Sequence, residues 1–194
     1  AVANEDERFE LLASFIEVHK IKLCILKHKM TDEAILRLSS HLRFLDMRGF
    51  DDRPLGRKII QSCRELDVLI ISDAELINGI EQLNCKYLDF EKCNQLKAIP
   101  YLPTCVRLKL DCCDSITRLF QSLPRVQSLL IYDCDSIEEV TSELDMCFAF
   151  TIYNCNSLRQ VTSQLPNCDF FDITSCDELT NLPVTLPGCT YFKI

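Results

Sequence analysis

The chain has 194 residues, of which 47% are hydrophobic, and its formal net charge is −8 at pH 7. This apolar content is sufficient for the core of one domain or of one repeat array. Residues 101–194 contain six Lys or Arg and twelve Asp or Glu, and this acidic balance argues against nucleic acid or an anionic membrane surface as a partner. A protein with a basic surface is the favoured partner.

The N-terminal residues predict a cap for one end of the molecule. In residues 5–19, apolar side chains recur at helical spacing, and acidic residues gather at the N-terminal end, where the helix dipole favours them. We therefore predict that residues 1–20 form an N-terminal capping helix. Such a helix would cover the open core at the end of a repeat array.

Residues 21–84 predict longer units in which strands alternate with helices. The first strand is expected at 21–26. Asp52 and Pro54 predict the start of a helix, because Asp caps helices well and Pro is tolerated in the first turn. Leu69 and Ile71 predict a strand, and a second, short helix is expected at 73–83.

Residues 85–194 repeat one pattern every 20 or 21 residues, with apolar side chains at positions 1, 4, 6, 9 and 12 of each unit. The units begin at Cys85, Cys105, Val126, Cys147, Cys168 and Cys189. Residues two apart, such as Leu108 and Leu110, point the same way in a strand, and one unit cannot bury its own apolar face. We therefore predict stacked units with one parallel strand each and with identical positions aligned in buried columns.

The pattern C-x-x-L-x-L-x-x-C-x-x-L resembles the leucine-rich repeat family. Leu-Pro near the end of a unit, as in Leu123-Pro124 and Leu165-Pro166, is similar to the short repeats of secreted bacterial effectors and to the C-terminal repeats of plant immune receptors. Cys at the ninth position departs from the bacterial form, which usually carries Asn there and is one residue shorter. The resemblance implies an α/β solenoid, a curved leucine-rich repeat with a parallel β-sheet on its concave face.

The cysteines follow the repeat: ten of the thirteen occupy the first or the ninth position of a unit. A small apolar side chain with a weak S–H donor suits a buried turn, whereas an odd number in repeat register does not suit a disulfide scaffold. We predict buried, reduced thiols and a reducing, cytoplasmic compartment. No C-x-x-C pair occurs, so neither a metal site nor another cofactor is predicted.

The third, fifth, seventh and eighth positions of each unit are predicted to face the concave side. Tyr132 and Tyr153 lie there in neighbouring units, and aromatic side chains with polar tips among a few charges are typical of protein interfaces. A concave face must also display some side chains without binding anything, and Tyr favours strands. The predicted partner-binding residues are Tyr87, Asp89, Glu91, Arg107, Lys109, Asp111, Leu130, Tyr132, Asp133, Thr151, Tyr153, Phe170 and Asp172.

No catalytic residue is predicted, and we expect a protein-binding module that is not an enzyme. All three histidines precede the regular repeats, and the outward-facing Cys112 has acidic neighbours that disfavour its thiolate. The resemblance implies the recognition module of an intracellular receptor or of a virulence effector that is secreted into the host cell cytosol. The alternative is the substrate-recognition part of a ubiquitin ligase, although the N-terminal residues lack the Leu-Pro start of an F-box adaptor.

Two further expectations concern partners. No apolar run approaches the length of a membrane span, and the acidic start of the chain differs from a signal peptide, so no membrane is expected. The last strand, Tyr191–Ile194, is predicted to be an exposed edge, and an exposed edge invites pairing with a second copy.

Overall fold

A computed structural model describes residues 36, 42–63, 66–182 and 186–194, and it shows a parallel β-solenoid. Each turn contributes one strand to a sheet of eight strands, whose spatial order follows the chain. The strands are β1 (Phe44–Asp46), β2 (Val68–Ile71), β3 (Tyr87–Glu91), β4 (Arg107–Asp111), β6 (Ser128–Tyr132), β8 (Ala149–Tyr153), β10 (Phe170–Thr174) and β11 (Tyr191–Lys193). The predicted stacking of one parallel strand per unit is confirmed.

The strand register follows the sequence repeat. Leu108 in β4 pairs with Leu129 in β6, which pairs with Phe150 in β8, which pairs in turn with Phe171 in β10. All four side chains are fully buried. Fourth and sixth positions thus form continuous apolar columns through the array, because a parallel ladder places identical positions side by side.

The back of the later units is extended. Two-residue strands β5 (Arg118–Leu119), β7 (Glu139–Val140) and β9 (Gln160–Val161) pair in parallel as a second, shorter sheet. In each of these two-residue strands, the apolar residue is buried in the core. This short sheet closes the core opposite the long sheet, and little helix is needed to do so.

The described residues contain less helix than the predicted α/β solenoid. Helix α1 (Arg53–Ser62) begins as predicted, with the Asp52 side chain accepting the Leu55 N–H at 3.1 Å. The helix predicted at 73–83 is wrong, because the structure has only a 3₁₀ turn, Ala74–Leu76. Gly79 adopts a left-handed conformation, with φ +80°, which a continuing right-handed helix does not allow.

The helix predicted at 5–19 and the strand predicted at 21–26 lie outside the described residues. Among the residues that are described, no helix has both the length and the apolar character needed to cross a membrane.

All twelve cysteines of the described residues are free thiols, and eight of them are buried. In the ninth column, the Cys134 thiol donates to the Tyr132 carbonyl at 3.2 Å and its sulfur accepts the Cys113 N–H at 3.3 Å. The neighbouring Cys113 sulfur and burial both raise the pKa of the Cys93 thiol. The Cys134 sulfur is therefore the acceptor of the buried Cys113 N–H, whereas the Tyr132 carbonyl also accepts the Cys112 N–H.

Candidate protein-binding face

The long sheet has one buried face and one solvent-facing side, which we call the open face. Side chains alternate along each strand, so the third, fifth and seventh positions of a unit lie on the open face while the fourth and sixth are buried. Twelve of the thirteen predicted binding residues lie on this face, in β3, β4, β6, β8 and β10. The thirteenth, Asp133, follows β6 directly. Register therefore brings together residues that are up to four units apart in the sequence.

One half of the open face, on β1, β3 and β4, carries a network of ion pairs. Arg48 contacts Asp46 at 2.7 Å and Glu91 at 3.4 Å. Lys109 Nζ lies 2.8 Å from Asp111 Oδ2 and 3.7 Å from Asp89 Oδ2. The charges in this half are largely neutralised by one another, so they offer little net attraction for a partner.

Asp89 is the member of this network whose negative charge is least well stabilised. Burial raises its pKa to about 6, and the carboxylates of Glu91 and Asp111 act in the same direction, against the opposing charge of Lys109. Its Oδ1 atom is buried and accepts no hydrogen bond within the described part of the chain. The charged form of Asp89 is therefore less favourable in the folded chain than in the unfolded chain.

The substitution Asp89→Asn is expected to raise the free energy of unfolding by about 1 kcal/mol at pH 7 and to leave it nearly unchanged at pH 4. The folded pKa of about 6 exceeds the unperturbed value of 3.8. The stability of the parent is thus fully present below about pH 4 and falls as the pH rises through about 6. Urea unfolding of both proteins at the two pH values measures the difference.

Asp172→Asn is the matched control for this prediction. Asp172 occupies the same repeat position, but its Oδ1 accepts a hydrogen bond from Thr174 Oγ1 at 2.6 Å. This variant should lack the gain at pH 7. Equal stability of Asp89→Asn and the parent at pH 7 would contradict the assignment of the strain to the Asp89 carboxylate.

The other half of the open face, on β6, β8 and β10, is apolar and aromatic. Tyr132 and Tyr153 are register partners, as are Leu130 and Thr151. Leu130 is buried, whereas Tyr153 is 47% and Phe170 37% exposed. The Phe170 ring stacks on the ring of Tyr191, with centroids 4.4 Å apart. Tyr132 and Tyr153 therefore lie at one end of their strands, whereas Phe170 and Tyr191 lie four residues away, at the other end of the open face.

The last strand also belongs to this half. Tyr191–Lys193 pairs with β10 on one side, and no strand among the described residues pairs with its other side. Pairing of this edge with a second copy stays a prediction.

A sharp left-handed turn follows most strands of the long sheet. The eighth position has a positive φ in five units that carry a side chain there: Lys92, Cys112, Asp133, Asn154 and Ser175. Non-glycine residues rarely adopt this conformation. The turn orients the eighth side chain along the rim of the open face, beside the seventh position.

Sequence reasoning missed a ladder of Asn and Asp at the tenth position. Asp114 Oδ1 accepts the Asp135 N–H of the next unit at 3.1 Å, and Asp135 Oδ1 accepts the side-chain Nδ2–H of Asn156 at 2.9 Å. The signal was present, since Asn94, Asp114, Asp135, Asn156 and Asp177 recur at the repeat period. The ladder holds these side chains in one orientation along the rim.

Asp111, Cys112 and Asp133 converge on the rim, with their ligand atoms within 4.8 Å of one another. Lys109 already contacts Asp111, and Asn154 Nδ2 donates to Asp133 at 2.5 Å. Burial, a hydrogen bond to Asp111 and the nearby carboxylates raise the pKa of Cys112 to about 11. A thiol of this kind is a poor nucleophile at neutral pH, because its thiolate is scarce.

No family model, no curated protein and no solved structure matches the chain.

Proposed function

We propose that the chain is a leucine-rich repeat module that binds a protein partner through the open face, without catalysing a reaction. The observation that carries this proposal is the half-exposed Tyr153, which lies beside its register partner Tyr132 on the adjoining strand. Aromatic side chains at the centre of a surface are the most frequent energetic anchors of protein interfaces.

The rigidity of the sheet supports the proposal. Tyr132, Tyr153 and Phe170 lie on strands that pair on both sides, above fully buried columns. Binding therefore immobilises few backbone dihedrals, and only the rings themselves lose freedom. A preorganised face of this kind can bind a partner with little loss of conformational entropy.

The buried thiols support a reducing compartment. Eight cysteines of the described residues are free and buried, and free thiols persist where disulfides are kept reduced. We propose that the chain acts in a cytosol, as an effector in a host cell would.

The test is affinity capture from a eukaryotic cell lysate with the full chain as bait. A Tyr132→Ala, Tyr153→Ala double variant should bind its specific partner about 30-fold less well, because central aromatic anchors are typically worth at least about 2 kcal/mol in total. Circular dichroism checks that the variant keeps its sheet.

Tyr101→Ala is the matched control for this capture. Tyr101 is 50% exposed but lies outside the long sheet, where it bridges Gln82. Capture should be retained by this control. If both variants capture the same proteins as the parent, the open face is not the binding site.

A further inference from the structure

One lysine of the chain, Lys109, already contacts an aromatic ring on the open face. Lys109 Nζ lies 5.9 Å from the centroid of the Tyr132 ring, while it contacts the Asp111 carboxylate at 2.8 Å. A lysine near the face of an aromatic ring and beside a carboxylate gains both cation–π and ionic attraction. The Lys109 side chain, which comes from β4, therefore already lies over the ring of Tyr132.

The next unit repeats the ring without the cation. Tyr153 is the register partner of Tyr132, and Leu130 is the register partner of Lys109. Leu130 therefore lies next to Tyr153 as Lys109 lies next to Tyr132, but its side chain is apolar. Tyr153 keeps 47% of its surface exposed.

Carboxylates without an ion-pair partner follow the strands of the long sheet, and we call them the acidic rim. Its members are Asp114, Asp133, Asp135 and Asp177, and none forms an ion pair with another described residue. No Lys or Arg occurs from Val126 to Leu158, which covers the unit that carries Tyr132 and the first 12 residues of the unit that carries Tyr153. The negative potential there is not neutralised locally.

The acidic rim is held in place before any partner arrives. Asp114 and Asp135 each use Oδ1 as an acceptor in the ladder between units. Asp133 lies in the left-handed turn after β6 and accepts from Asn154. Fixed carboxylates beside an exposed ring lose little entropy when they receive a cation.

We propose that the open face binds an extended, Lys- or Arg-containing segment of a partner protein, with one cation of that segment over Tyr153 and beside Asp133. This inference rests on the proposed function and names the chemistry of the partner. Asp135 receives the next cation along the rim. Lys109 over Tyr132 models the contact between cation and ring one unit earlier in the array, where the carboxylate is Asp111 at the seventh position rather than an Asp at the eighth.

The experiment measures fluorescence anisotropy of labelled peptides mixed with the full chain. One peptide carries Lys and Arg at alternating positions with Ser and Gly between them, and its counterpart carries Glu at the same positions. The basic peptide should bind and the acidic one should not. Its affinity should fall as the salt concentration rises, because exposed charges are screened.

Two variants locate the contact. Asp133→Asn, Asp135→Asn should bind the basic peptide about fivefold more weakly, as expected for two exposed charge pairs. Asn retains the Oδ1 acceptors of the ladder, so the fold should be unchanged. Tyr153→Leu should lower affinity about threefold, and Tyr153→Phe should not, because Phe keeps the ring that attracts the cation.

The matched control is Glu143→Gln, Asp145→Asn, which removes the same charge from exposed residues outside the long sheet. This control should bind the basic peptide as the parent does. Equal weakening by the control and by the rim variant would reduce the effect to net charge and overturn the proposal. Absence of binding to the basic peptide, or equal binding of both peptides, would also overturn it.

The outcome is separable from that of the proposed function. A partner captured by the parent but lost by the Tyr132→Ala, Tyr153→Ala variant would keep the open face as the interface even if the basic peptide fails. In that case the partner is not basic. If capture is also unchanged by the tyrosine variant, the proposed function itself fails.

Discussion

The substitution Phe150→Ala is expected to lower the free energy of unfolding by about 3–5 kcal/mol. Phe150 is fully buried, and its ring lies nearly parallel to that of Phe171, with centroids 5.3 Å apart. Truncation removes the apolar surface of one ring and leaves a cavity between two stacked units. The interior of a parallel array is close-packed, so neighbouring side chains can fill this cavity only in part.

Urea denaturation followed by circular dichroism measures this loss. Phe148→Ala is the matched control, because Phe148 is two residues earlier in the chain but 39% exposed. The control should lose less than about 1 kcal/mol, in line with substitutions at partly exposed positions. Similar losses in the two variants would mean that the fourth-position column is not the core of the solenoid.

The substitution Cys134→Ala is expected to lower the free energy of unfolding by about 2–3 kcal/mol. Cys134 is fully buried, and its sulfur accepts the N–H of Cys113. Ala removes the sulfur atom from a packed column and leaves that buried N–H without an acceptor, which alone costs about 1–3 kcal/mol. The same denaturation assay measures the effect.

Cys112→Ala tests whether the position rather than the residue type matters. Cys112 is only half-buried, at the eighth position of the neighbouring unit. Its replacement should change stability by about 0.5 kcal/mol or less. A loss of equal size in the two variants would show that the ninth-column thiols do not support the turns.

Much of the fold follows from the period of the sequence. Leu108, Leu129, Phe150 and Phe171 recur at one spacing, and only parallel stacking brings them together in a dry column. The start of α1 was predicted for a local reason, because Asp caps helices well and Pro is tolerated in the first turn. The helix expected at 73–83 failed, because its apolar spacing does not reveal the left-handed turn at Gly79.

The candidate site was predictable as a surface but not as a chemical environment. Alternation along a strand placed Tyr132, Tyr153 and Asp89 on the open face from the sequence alone. The ladder of Asn and Asp went unrecognised, although it recurs at the repeat period. The ladder includes a hydrogen bond from a backbone N–H of the next unit, and the position of that N–H cannot be read from a pattern of side chains.

The sequence by itself determined the parallel array, the register of its strands and the identity of the buried columns, because all three depend on a regular apolar period. Only the tertiary structure decided which charges are neutralised. Lys109 forms an ion pair with Asp111, whereas Asp133 accepts a hydrogen bond from the uncharged side chain of Asn154. That difference depends on distances between side chains of neighbouring units, and those side chains change from unit to unit while the period does not.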